Sequence, residues 1–179
     1  SFNVFEHNTI NGAGGSGITF YQGPDNKNGT PTQDMHDNVV RFNQVMNIKN
    51  FDDANQPKNQ HGIETGGGVM CPSCSYNNSV SYNILINITH IGLRSKTLVP
   101  GPEHGKYAWR YLNNVVIRAG IGFSTAFMCR PIGEKTCYKP EHVANNVFLD
   151  SVFAHQDGWD PTTAMNYSHR GDDWQTNSY

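Results

Sequence analysis

Glu64, Arg94 and Asp160 each stand two residues after a glycine that opens a short run: "GIET" from Gly62, "GLRS" from Gly92 and "GWDP" from Gly158. Thr19 and Ser124 hold the same place after Gly17 and Gly122. Successive side chains of a strand point to opposite faces. With Ile18, Ile63, Leu93, Phe123 and Trp159 inward, these residues form one polar row turned to solvent. A carboxylate beside a guanidinium, with a second carboxylate further along, suits the gripping of an acidic or neutral sugar chain. His61 and His155 flank the row, and imidazole transfers protons near neutral pH. The catalytic candidates are therefore Glu64, Arg94, His155 and Asp160. The plainer alternative is a cross-strand ion pair between Glu64 and Arg94, about 0.2 to 1 kcal/mol, with loop histidines of no chemical role.

Other clusters carry chemistry less specifically. In "HQDGWDP", residues 155 to 161, Asp157 and Asp160 are placed to share a hard cation such as calcium, although Asp157-Gly158 is also a common turn pair. "LVPGPEHGKYAWRY", residues 98 to 111, brings Tyr107, Trp109 and Tyr111 close to Arg110. Such rings stack on sugars through apolar faces while their edges stay polar, so Tyr107, Trp109 and Trp159 are the glycan-binding candidates. Filling space beside the scaffold is the competing role. "ETGGGVMCPSC" lacks the Lys-Ser/Thr ending of a phosphate loop. Arg170-Gly171-Asp172 is an integrin-type tripeptide that arises easily by chance.

The chain as a whole has 179 residues, 18 Gly, 9 Pro and 36% hydrophobic residues, with a mean hydropathy of -0.58. It is also rich in Asn, a composition of turn-rich β structure. With 13 Lys and Arg against 15 Asp and Glu and a net charge of -2, it has no basic stripe for nucleic acid. No apolar run reaches the length of a membrane span, and the first residues lack the pattern of a signal peptide. Cys71 with Cys74 and Cys129 with Cys137 make two local pairs. They read as short-loop disulfides of an oxidising compartment, with a structural zinc site as the alternative. Asn28, Asn77, Asn87 and Asn166 head N-glycosylation sequons. Cysteines and sequons together predict a secreted or cell-surface protein, though an Asn-rich chain meets the sequon pattern by chance too.

What must position these residues is a repeat. "NVFEHNTI", "NVVRFNQV", "NSVSYNIL", "NVVIRAGI" and "NVFLDSVF" start at residues 3, 38, 78, 114 and 146. Their third positions, Phe5, Val40, Val80, Val116 and Phe148, are apolar, as are their eighth, Ile10, Val45, Leu85, Ile121 and Phe153. Columns five residues apart have opposite parity in a straight strand, so the chain bends between them. The sixth position reads Asn8, Asn43, Asn83, Ala119 and Ser151. Asn tolerates the left-handed backbone and bonds locally, so it is assigned to the corner. A third short strand follows at each glycine. Strand, corner, strand, loop, strand is one coil of a solenoid. An all-β sandwich is the alternative, although its strands recur more closely and without aligned columns.

In these columns the chain resembles the right-handed parallel β-helix superfamily of pectate lyases and other polysaccharide-active enzymes. Its repeats are similar to the β-helical segments of fibrocystin-type receptors and related hyaluronan-processing surface proteins. The resemblance implies an all-β, right-handed, single-stranded parallel β-helix of about five coils with long loops. It spans residues 1–179 as a single domain that is a segment of a longer chain. It also implies a ladder of stacked asparagines, matched by Asn8, Asn43 and Asn83 and departed from at Ala119 and Ser151. Two functions follow from it. The first is a noncatalytic extracellular module for structure, assembly or glycan binding, with other copies or further segments of the same protein as partners. The second is a polysaccharide lyase, hydrolase or epimerase with its groove along the third strands. Neither requires a cofactor, calcium at Asp157 and Asp160 being the one for which ligands are at hand, as acidic residues bind it in pectate lyases.

Overall fold

The computed structural model describes residues 2–21, 35–49, 60–66, 75–95, 109–125, 141–151, 153–157 and 173–175. Among them every regular element is a β-strand, and every strand pairing is parallel. One sheet joins β1 (Val4–Glu6), β5 (Val39–Arg41), β9 (Asn78–Ser81), β11 (Trp109–Leu112), β13 (Glu141–Ala144) and β16 (Asp173–Gln175) in that order. A second row contains β2 (Thr9–Asn11), β6 (Gln44–Ile48), the first half of β10 (Ile84–Ser95), the first half of β12 (Val115–Thr125) and β14 (Val147–Leu149). The second halves of β10 and β12 pair with β7 (His61–Gly66) and β15 (Phe153–Asp157), and β3 (Ile18–Tyr21) extends this third row from β7. A short pair, β4 (Met35–His36) and β8 (Ser75–Tyr76), lies apart. Each strand thus pairs with its counterpart from the next repeat, the arrangement expected of stacked repeats.

The inner columns of the three rows share one core. Val40, Val80, Tyr111 and Val143 come from the first row, Val45, Leu85, Val116 and Phe148 from the second, and Ile18, Ile63, Leu93 and Phe123 from the third. The register corrects the phase of the last two repeats. Val80 pairs with Tyr111 and Tyr111 with Val143, whereas Val116 and Phe148 align with Leu85. Ile121 and Phe153 begin third-row strands beside Ile91. Asn114 and Asn146 therefore occupy the corner position expected of Ala119 and Ser151.

The corner itself takes two residues. The left-handed conformation belongs to the residue before each asparagine: His7, Phe42, Tyr82, Asn113 and Asn145, with φ of 55 to 57° where Phe42 and His7 mark the limits. The asparagine then satisfies what the turn exposes. The Asn43 side-chain amide donates to the carbonyls of Phe5 (2.9 Å) and Arg41 (3.0 Å) and to Asn83 Oδ1 (3.0 Å), and its backbone N–H also donates to Asn83 Oδ1 (3.0 Å). The same bonds run from Asn8 to Asn43, from Asn83 to Asn114 and from Asn114 to Asn146. Two further rows flank this one. Asn3 donates to Asn38 and Asn38 to Asn78, while Asn87 donates to Asn47 and Asn47 to Asn11, with Arg118 Nε completing the second row on Asn87. Asn47 is therefore a ladder residue.

The glycines that open the third strands are required by proximity. A Cβ on Gly62 would lie 2.3 Å from Leu85 Cδ2 and 2.5 Å from the Gly92 carbonyl; one on Gly92 would lie 2.5 Å from Val116 Cγ1. Along the second row, apolar side chains stand on the outer face as well as the inner. Ile84, Val115 and Val147 form one outward column and Met46, Ile86, Ile117 and Leu149 the next, all exposed or half-buried.

Two measurements test this architecture. In Asn83→Ala, the buried N–H of Asn43 and carbonyl of Val40 lose their partners, at about 1–3 kcal/mol each. Urea unfolding is expected to show a loss of about 3 kcal/mol, against about 1 kcal/mol for Asn8→Ala, whose half-buried rung water can reach. Gly62→Ala is expected to cost at least about 2 kcal/mol through overpacking, while Gly15→Ala, with nothing within 4 Å of the added carbon, leaves the midpoint in place.

Candidate functional site

Third-strand pairing brings the polar row together as far as Ser124. Thr19 pairs with Glu64, Glu64 with Arg94, Arg94 with Ser124, and Ser124 with Gln156. The last member is thus Gln156 where Asp160 was expected, because β15 ends at Asp157 and Phe123 pairs with His155. Asp160 lies outside the described residues. His155 and Asp157 are placed by their backbone on β15, opposite Phe123 and Thr125.

Of the four row members whose side chains are described, Thr19, Glu64, Arg94 and Ser124, Thr19 alone is exposed. Glu64, Arg94 and Ser124 are buried, and so are Ile91, Ile121 and His61 on the same strands. The expectation of a row turned to solvent fails here. Arg94 Nη1 lies 3.9 Å from Glu64 Oε1, and Ser16 Oγ donates to Glu64 Oε2 at 2.9 Å. A guanidinium has N–H donors and no acceptor, so its close contact with His61 Nε2 makes that nitrogen the acceptor and leaves the imidazole proton on Nδ1. The ring of His90 lies beside that of His61, with centroids 5.4 Å apart. Burial lowers the pKa of Arg94 from its ordinary value, and the charge of Glu64 opposes the shift. The cluster joins a carboxylate, a guanidinium and a neutral imidazole, the parts of an acid and base site, with Glu64 and His61 both engaged by Arg94.

The aromatic candidates separate. Trp109 is fully buried, its ring edge-on to Phe20 at 6.1 Å, so it packs the core and offers no face to a sugar. Tyr111 is buried too, against Phe123 and in hydrogen-bonding contact with Thr65. Tyr107 and Trp159 lie outside the described residues. Among the described residues Phe2 is exposed, and exposed rings stack at the first corner, where His7, Phe42 and Tyr82 have centroids 5.3 Å apart. Sequence reasoning missed them because left-handed corner positions seldom carry aromatics.

Among the sequons, Asn77 is exposed at a left-handed corner and its amide contacts Asp37. Asn87 is half-buried within the outer asparagine row. Asn28, Asn166 and the cysteines Cys71, Cys74, Cys129 and Cys137 lie outside the described residues, as does Arg170-Gly171-Asp172. Among the described residues no group of His, Cys, Asp or Glu is arranged to hold a metal ion.

Burial of the ion pair has a measurable consequence. Arg94→Ala leaves the Glu64 carboxylate buried without its countercharge and is expected to cost about 3–5 kcal/mol in urea unfolding; a solvent-exposed pair would lose about 1 kcal/mol or less. Glu64→Gln combined with Arg94→Met removes both charges and is expected to recover most of that loss. Comparison of the chain with family models, with curated proteins and with solved structures gave no match.

Proposed function

We propose that this chain is a noncatalytic segment of a secreted or cell-surface glycoprotein, folded as a right-handed parallel β-helix of about five coils and serving as a rigid structural and assembly module or a glycan-binding surface. The observation that carries this reading is the unbroken row of side-chain hydrogen bonds from Asn8 through Asn43, Asn83 and Asn114 to Asn146. Such a row ties each repeat to the next along the stacking direction, where a spacer must resist bending. The exposed sequon asparagine Asn77 supports an extracellular setting.

The alternative, a polysaccharide lyase, hydrolase or epimerase working through Glu64, Arg94, His155 and Asp160, draws on the convergence of Glu64, Arg94 and His61. The same geometry weighs against it: a groove needs these groups open to a polymer, and Glu64 is buried and engaged by Arg94 and Ser16. Incubation of the 179-residue chain with a panel of uronic-acid and neutral polysaccharides, followed by assay of unsaturated and reducing ends, distinguishes the two. The expected result is no release above buffer, with or without calcium. Release that Arg94→Lys abolishes while the fold is retained would overturn the noncatalytic reading.

A further inference from the structure

Two of the four sequons, those of Asn77 and Asn87, fall among the described residues, and the fold treats them differently. Both asparagines are left-handed, with φ of 54° and 57°, so backbone conformation does not separate them. The surroundings of their amides do. Asn77 stands exposed between β8 and β9, and its Nδ2 donates to Asp37. That carboxylate also accepts from His36 Nδ1 at 2.7 Å, and the bonds from His36 and Asn77 hold it below the usual carboxylate range. Asn87 lies inside β10, half-buried, where the strand passes from the second row to the third. Its Nδ2 donates to Asn47 Oδ1 at 2.9 Å and its Oδ1 accepts from Arg118 Nε at 2.6 Å. Neighbours in the adjoining repeats thus hold this amide from both sides, and Asn47 passes the row on to Asn11. The sequon hydroxyl of Thr89 is tied as well, donating to the Ile48 carbonyl at 2.9 Å.

We propose that Asn77 carries an N-linked oligosaccharide and that the folded protein carries none at Asn87. The proposal deepens the glycoprotein reading above and rests on it. In the transfer, Asn77 Nδ2 attacks the anomeric carbon of an oligosaccharide borne on a lipid pyrophosphate. The C–N bond forms, the anomeric C–O bond breaks, the lipid pyrophosphate leaves with the electron pair, and one amide proton passes to a base of the transferase. A side-chain amide has two N–H groups, so the one that remains keeps the bond to Asp37 while the sugar extends into solvent. Transfer takes place on the extended chain, before the fold closes. The fold therefore decides which sugar it can carry, and an N-glycan is a bulky surface group. At Asn87 the first sugar ring would stand beside Asn47 and Arg118 in a row whose rungs are about 4.8 Å apart, which admits one planar amide per rung. Chains modified there lose the outer row, fold poorly and are removed before secretion.

The test is site-by-site occupancy in the 179-residue chain, secreted from cultured animal cells behind a heterologous signal peptide and shown to be folded by circular dichroism. Enzymatic release of the glycans in heavy-oxygen water turns each glycosylated asparagine into a mass-labelled aspartate, which peptide mass spectrometry locates. The expected result is label at Asn77 in most molecules and none at Asn87. Ser79→Ala destroys the first sequon and leaves Asn77 in place; it is expected to raise gel mobility by one glycan. Thr89→Ala destroys the second and is expected to leave mobility unchanged. Label at Asn87 in the folded protein overturns the proposal. So does an unlabelled Asn77 accompanied by label at Asn28 or Asn166, a result that leaves the glycoprotein reading standing. A secreted chain without label at any of the four asparagines overturns both.

Discussion

The structure depends on keeping backbone polar groups satisfied at a corner that recurs inside the stack. Each corner turns through one left-handed residue, at a steric cost of about 1–2 kcal/mol for a side chain other than glycine. It also points N–H and carbonyl groups toward a space that water does not reach. An asparagine amide is suited to this position because it donates and accepts at once. Asn83 accepts from Asn43 and donates to Asn114, and it also caps the carbonyls of Val40 and Ser81. Because each amide bonds to the next, the rungs fix the register of every neighbouring strand. Insertions between repeats are then confined to the connecting segments, and the strands stay aligned although the repeats differ in length.

Packing follows from that register. Where glycines meet the inner columns, Gly17, Gly62 and Gly92 leave the space that Val45, Leu85 and Val116 fill. The inner asparagine row of Asn3, Asn38 and Asn78 ends at Trp109, which pairs with Asn78 on one side and Glu141 on the other. Among the described residues, Trp109 and Tyr111 of β11 and Phe123 of β12 are the largest fully buried side chains. Bulk thus replaces hydrogen bonding in that row alone, with Phe20 reaching Trp109 from the third row, while the corner row continues through Asn114.

The parallel strands and their columns were legible in the sequence because burial forces a repeated apolar pattern. The phase of the last repeats was not, for a physical reason. "NVV" from Asn38 opens a first-row strand and "NVV" from Asn114 a second-row strand, since both corners require an asparagine followed by alternating apolar residues. With Trp109 and Glu141 in place of the first asparagine, a five-residue slip reads equally well. Asp160 was expected where Gln156 stands for another reason: Ala154 holds the glycine's place in that repeat, and the next glycine, Gly158, lies four residues further on. Glu64 and Arg94 were correctly identified as neighbours, but their burial was not legible, because strand parity indicates which residues share a face and says nothing of what covers it.

The two outer faces therefore exchange the roles that composition assigns them. The third row bears Glu64, Arg94 and Ser124 on strands whose outer side is buried, and the second row bears isoleucine and valine on a side that is not. A buried ion pair contributes little net stability against an apolar substitute, so its retention imposes a geometric requirement: Arg94 must meet both Glu64 and His61, which fixes β7 against β10. An exposed apolar face, by contrast, adds nothing to the folded monomer beyond strand propensity and brings the hazard of nonspecific association. The second row gains stability only when something apolar covers it, which places the unsatisfied part of this fold on its outer surface and not in its polar cluster.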